Sequence, residues 1–176
     1  VNIQIGGCTI IQGYAGCVLT TNAYSNNINN NNIYSNVNNG VIVSAETVNY
    51  NIISSNTFWD ANQNFGIMIA YGDLNWICFN KSYSGAQSLN MANTTNNYIF
   101  NNIFASNATG IAMSSSHNNF ISSNTIFGHN YGIAVSGRSN TVFSNHVQKN
   151  TYQFPNILGA FPKTPNVLWE YIPISV

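Results

Sequence analysis

Cleavage of a glycosidic bond needs two carboxylates held about 5–10 Å apart, so the chain's four acidic residues, Glu46, Asp60, Asp73 and Glu170, are the first positions to weigh. Three histidines, His117, His129 and His146, carry the side chain most often used as a transition-metal ligand. Three cysteines, Cys8, Cys17 and Cys78, offer nucleophiles or ligands, or one disulfide with one thiol left over. Asn-x-Ser/Thr sequons begin at Asn80, Asn93 and Asn107, acceptors for a glycan in a compartment that attaches one. None of this chemistry works unless the fold gathers the members of a set.

The elements that must do the gathering come from a chain with almost no charge. Only 5% of its 176 residues are charged and the net charge is zero, against about 25% charged in an ordinary domain. Without a basic or acidic run, neither nucleic acid nor an anionic membrane surface is expected as a partner. The longest apolar runs, such as Gly66 to Ala70, are far too short to span a bilayer, and no secretory leader pattern is present, so no membrane insertion is expected. The chain opens at Val1, which reads as a processed mature chain or an excised fragment. A content of 44% hydrophobic and 13% aromatic residues argues for a packed core and against disorder. Asparagine takes the place of charge, with 34 Asn beside 18 Ser and 12 Thr.

Those asparagines are periodic. The frame Asn-x-Ile-x-x-Asn begins at Asn26, Asn51, Asn75, Asn97, Asn119 and Asn140, and ends at Asn31, Asn56, Asn80, Asn102, Asn124 and Asn145. Its aliphatic centre is Ile28, Ile53, Ile77, Ile99, Ile121 and Val142, at steps of 25, 24, 22, 22 and 21 residues. A Gly-led segment precedes five of the six frames, as in Gly40-Val41-Ile42-Val43, Gly66-Ile67-Met68-Ile69 and Gly110-Ile111-Ala112-Met113, with Ser88-Leu89-Asn90-Met91 as the variant. A third apolar position follows the second Asn at Ile33, Phe58, Phe104, Ile126 and Val147, with Ser82 as the exception. Three period-2 strands in about 22 residues cannot bury their apolar faces alone, whereas stacked units can. The expected fold is therefore all-β: a single-stranded parallel β-helix, or β-solenoid, of six to seven coils over residues 1–150. Asn tolerates the left-handed region at tight bends, and its amide both donates and accepts, so the two columns are expected to form structural ladders.

This frame sorts the chemistry-bearing residues. Glu46 and Asp73 fall in the turn between the first and second strands of neighbouring coils and form the one candidate acid pair, while Asp60 lies on another side. Lys81 and Arg138 are out of register with that pair. The histidines fall in different columns and read as surface or bend residues, so no metal and no cofactor are expected. Cys17 falls in an inward apolar column, Cys8 aligns with the second Asn column near the interior, and Cys78 points outward; a Cys8–Cys17 disulfide is allowed. Asn80 belongs to a ladder and is unavailable to a glycan, which leaves Asn93 and Asn107 for glycosylation.

The order Gly-Ile-x-Val, then Asn-x-Ile-x-x-Asn, then an apolar residue resembles the right-handed parallel β-helix repeat of NosD-like proteins and carbohydrate-binding CASH domains, of the pectin-lyase-like solenoid type. The opening Val1-Asn2-Ile3-Gln4-Ile5-Gly6-Gly7-Cys8-Thr9-Ile10 is similar to the start of such helices. The resemblance covers about residues 1 to 150 and implies a right-handed coil. It implies little about activity, because the fold carries lyases, hydrolases, epimerases, adhesins and passive surface proteins alike. A calcium-assisted lyase of pectate-lyase type needs an acidic cluster and a basic residue, which the frame does not assemble.

Past Asn150 the frame ends, and Pro155, Pro162, Pro165 and Pro173 fall in a segment with Phe154, Phe161, Trp169, Tyr171 and Ile172. Residues 151–176 are expected to form a C-terminal cap or an arm that docks on a neighbouring subunit. With no catalytic set, the expected function is that of a non-catalytic structural protein of the cell surface or extracellular space, and the expected location is extracellular or in the cell envelope. It is expected to self-assemble as a homo-oligomer into a filament, sheath or surface layer, because little charge opposes association. One alternative is a carbohydrate-binding or carbohydrate-active β-helix using outward Tyr34, Trp59, Trp76, Tyr83 and Phe100; another is a fragment of an adhesin or viral fibre.

Overall fold

A computed structural model describes residues 2–59, 64–83, 85–105, 108–151 and 157–158. Each coil contributes three strands. The first is β1 (Gln4–Gly6), β2 (Thr9–Ile11) and β3 (Ala15–Leu19); the second is β4 (Asn27–Asn29), β5 (Asn32–Tyr34) and β6 (Asn39–Ser44). The third is β7 (Ile52–Ser54), β8 (Thr57–Phe58) and β9 (Phe65–Ala70); the fourth is β10 (Trp76–Cys78), β11 (Lys81–Tyr83) and β12 (Gln87–Ala92). β13 (Tyr98–Phe100), β14 (Ile103–Ala105) and β15 (Thr109–Ser114) make the fifth. β16 (Phe120–Ser122), β17 (Thr125–Phe127) and β18 (Tyr131–Ser136) make the sixth, and β19 (Thr141–Phe143), β20 (His146–Gln148) and β21 (Ile157–Leu158) the last.

Like strands stack on like, giving three parallel seven-stranded sheets: sheet A from β1 to β19, sheet B from β2 to β20, and sheet C from β3 to β21. The expected columns are real neighbours. Ile28 pairs with Ile53, Ile77 with Ile99, and Ile99 with Ile121 in sheet A. Cys17, Val41, Ile67, Leu89, Ile111 and Ile133 line one inward row of sheet C. The aliphatic centres are all but sealed from solvent, each worth roughly 1.5–3 kcal/mol when fully buried. Ile5 and Ile10 add a further coil at the N-terminal end, against Ile28 and Ile33. Glycine stands near the start of most sheet C strands for want of room: a Cβ at Gly40 would lie 2.5 Å from the Gly66 carbonyl oxygen, and one at Gly110 2.6 Å from that of Gly132, while β12 holds buried Ser88 at this position.

One expectation changes. The ladder asparagines do not occupy the left-handed region; the residue before each one does. Ser25, Tyr50, Leu74, Asn96, Asn118 and Ser139 precede the first ladder with φ of 53–58°, and Asn30, Ser55, Phe79, Asn101, Ser123 and Ser144 precede the second with φ of 50–58°. The bend therefore tolerates almost any side chain, while the next position needs an amide. Beyond residue 150, Ile157 and Leu158 pair with Val135 and Ser136 and add a last strand to sheet C. Residues 152–156 and 159–176, with Glu170 and the four prolines of the expected cap or arm, lie outside the described residues.

Candidate functional site

Polar side chains collect at the corners, where the chain leaves one sheet for the next. In both ladders each Oδ1 after the first rung accepts the backbone N–H and the Nδ2–H of the Asn one coil earlier, at 2.8–3.2 Å, while the first rungs, Asn26 and Asn31, accept the backbone N–H of Ile3 and Cys8. Nδ2 of the second ladder also reaches strand carbonyls of the preceding coil, as from Asn80 to Ile53 and from Asn102 to Ile77. The ladder amides thus bury without leaving their donors and acceptors orphaned.

A further column runs along the outside of the corner between sheets C and A. The Asn49 Oδ1 accepts the Asp73 N–H at 2.8 Å, an Asp73 carboxylate oxygen accepts the Thr95 N–H at 2.6 Å, and Thr95 bridges to His117. His117 Nδ1 then accepts the Arg138 N–H at 2.8 Å, so its hydrogen sits on Nε2 in the neutral ring. Asp73 is therefore bound into the wall. Its partner in the coil before is Asn49, whereas Glu46 is exposed in the longer turn ahead of Asn49. Asn49, and not Glu46, is therefore the residue in register with Asp73, because the turns differ in length and register is kept at the ladder end of the turn. This column is legible in the sequence once sought: its members stand two residues before Asn51, Asn75, Asn97, Asn119 and Asn140, so Arg138, expected out of register, shares the column of Asp73, with Thr95 and His117 between them. Asp60 lies outside the described residues.

The histidines stay apart. His129 is buried at the corner between sheets B and C, with Nε2 3.0 Å from the Phe104 carbonyl and its N–H on Asn150 Oδ1 at 2.8 Å. Asn150 Nδ2 makes the matching bond to the Ile126 carbonyl one coil later, so His129 fills an asparagine's role. His146 is exposed on β20.

All three cysteines are free thiols. Cys8 donates Sγ–H to the Gly6 carbonyl and is exposed, not interior, because no coil before it covers it among the described residues. Cys17 sits in the core row of sheet C, so the allowed disulfide does not form: one thiol faces solvent at a corner and the other faces inward from a strand. Cys78 is buried although its position on β10 is outward. Its neighbour in the next coil is Phe100, onto which the Trp76 and Phe79 rings pack at 6.0 and 5.8 Å, roofing the small thiol. Burial pushes both the Cys17 and Cys78 thiols up, with a backbone hydrogen bond at Val18 offsetting part of the effect on Cys17. Of the sequons, Asn93 is exposed in a left-handed turn, Asn80 is sealed in its ladder and Asn107 lies outside the described residues.

The outer face of sheet A is aromatic. Trp76, Tyr98 and Phe120 are successive neighbours in one outward row, with centroids 5.7 and 6.0 Å apart, and Phe120 meets Phe143 at 4.8 Å. Trp76, Phe79 and Tyr98 remain 48%, 54% and 40% exposed. Tyr98, Phe120, Phe143 and Phe79 were not among the outward aromatics singled out from the sequence. On sheet B, exposed Trp59 stacks on Tyr83 at 4.9 Å and 27°.

Residues 60–157, more than half of the chain, match the family described as periplasmic copper-binding protein (NosD). At a coarse level this description agrees with the expected envelope location. No curated protein matches the chain.

Proposed function

This chain belongs to the NosD family, and we propose that it is a non-catalytic structural protein of the cell envelope or surface whose solenoids self-assemble. The observation that carries this reading is how the chemistry-bearing side chains are employed. The Asp73 carboxylate accepts a neighbouring coil's N–H, and His117 and His129 each hold one coil to another. Groups spent on wall bonds are not positioned to act on a substrate.

Copper enters with the family's description, and the residues here do not fit a copper site. The chain's three His, three Cys and three Met all fall among the described residues. Cys17, Met91 and Met113 are in the core, Cys78 lies beneath aromatic rings, and His117 and His129 each engage a ring nitrogen. No three His, Cys, Asp or Glu converge among the described residues. The proposed role runs no step through copper.

Electron microscopy of the purified chain tests the proposal. Rods, sheets or filaments that lengthen with concentration are expected, with no release of sugar from polysaccharides. Monodisperse single solenoids at every concentration would overturn it.

A second reading, carbohydrate binding, is supported by Trp59 and Tyr83. Their stacked rings stand beside Thr57 and Lys81 on sheet B, a hydrophobic surface with donors alongside. A glycan array distinguishes this reading through binding that Trp59→Ser abolishes.

A further inference from the structure

We infer that the outer face of sheet A is the surface through which two copies of this chain meet; the inference rests on the self-assembly reading and names its interface.

The face is uncharged throughout. Its outward rows run Gln4, Asn27, Ile52, Trp76, Tyr98, Phe120, Thr141 and Gly6, Asn29, Ser54, Cys78, Phe100, Ser122, Phe143, with no Asp, Glu, Lys or Arg. A partner bearing charge would lose hydration here and gain no counter-charge, whereas a second copy brings an equally uncharged surface. Area points the same way. Trp76, Phe79 and Tyr98 are about half exposed, and side chains of this kind cover 150–250 Å² each, so they alone present roughly 300 Å². Ile52, at 39% exposure, and the partly exposed Phe100 and Phe120 extend the field. The whole falls within the range of the largest apolar patches on monomers, roughly 300–600 Å². Doubled across a two-fold axis and joined by its Asn, Ser and Thr rim, it reaches the roughly 1,000 Å² at which association becomes specific.

Shape fits as well. Neighbouring rings meet at 47–78°, so the field is ridged along the stack of coils. A two-fold partner presents the same ridges, as an isologous contact requires, and two twisted sheets pack face to face at about 10 Å. The outer face of sheet C differs: beyond Val18, Ile42 and Met68 its central outward row becomes Asn90, Ala112 and Ala134, with little to bury.

Sedimentation of the full chain across a wide concentration range, with Trp76→Ser, the double variant Trp76→Ser/Tyr98→Ser and the control Val18→Ser, tests the inference. Melting curves by circular dichroism verify that each variant folds. Self-association is expected to weaken about tenfold or more in Trp76→Ser, further in the double variant, and not at all in Val18→Ser. Folded sheet A variants that associate like the wild type would overturn this interface while leaving self-assembly standing. A wild type that stays monomeric would overturn both. So would a monomer that associates only when truncated after Leu158, since the chain's own C-terminal segment would then be the occupant. Binding of a neutral glycan that Trp76→Ser abolishes, without self-association, would also overturn the inference.

Discussion

The Asn102 Oδ1 lies 3.0 Å from the backbone nitrogen of Asn80 and 3.1 Å from its Nδ2, so one amide oxygen closes both the main chain and the side chain of the coil before it. Asn80 repeats the act on Asn56 at 3.0 and 3.1 Å. A ladder of this kind is directional: each rung satisfies its predecessor and depends on its successor.

Removing one rung is therefore costly on both sides. Asn80→Ala leaves the Asn56 backbone N–H and one of its two Nδ2 hydrogens without an acceptor, the other staying on the Ile28 carbonyl, and withdraws a donor each from the Ile53 carbonyl and Asn102 Oδ1. At about 1–3 kcal/mol per orphaned buried group, a loss of roughly 3–5 kcal/mol is expected in urea unfolding. A loss below about 1 kcal/mol would show that the ladder is dispensable.

The bends carry the opposite expectation. Tyr50 holds φ at 58° while 60% exposed, so its ring contributes little packing and its backbone bears the left-handed cost. Tyr50→Asn is expected to raise stability by about 0.5–1 kcal/mol, because Asn visits that region readily. Thermal unfolding measures it, and destabilisation would mean that the ring holds the turn.

Asp73 separates structure from catalysis. Asp73→Asn keeps an oxygen for the Thr95 N–H, so stability is expected to change by less than about 1 kcal/mol. Asp73→Ala leaves that N–H unpaired and is expected to cost about 1–3 kcal/mol. Sugar release by the wild type that disappears in Asp73→Asn would instead make the carboxylate catalytic.

The thiols predict a count and a pH trend. Only Cys8 is exposed, so one thiol per chain is expected to react with a disulfide reagent before unfolding, and three afterwards. Cys17 and Cys78 have pKa values raised by burial. Their protonated forms favour the fold below the ordinary thiol value of about 8.5, and this contribution is lost as pH rises through the folded-state values. Melting temperature is expected to fall with rising alkalinity, and less steeply in Cys78→Ala; an unchanged slope in that variant would contradict the assignment.

The sequence by itself determined the coil and both ladders, because a repeat that buries Ile at Ile28, Ile53 and Ile77 beside Asn at fixed offsets has one way to satisfy both, by stacking in register. It also identified Cys17 as core and Asn80 as sealed, since those positions follow from period alone. Only the tertiary structure decided what happens where period fails. Turns of unequal length shift neighbours, so Asn49 and not Glu46 stands before Asp73. An outward thiol becomes buried because Phe100 and the rings packed on it lean over Cys78, and strand alternation gives the direction of a side chain but not the reach of its neighbour. The left-handed residues likewise fell one position away from the asparagines, because at the corner the backbone bend and the amide's hydrogen bonds are separate requirements met by adjacent residues.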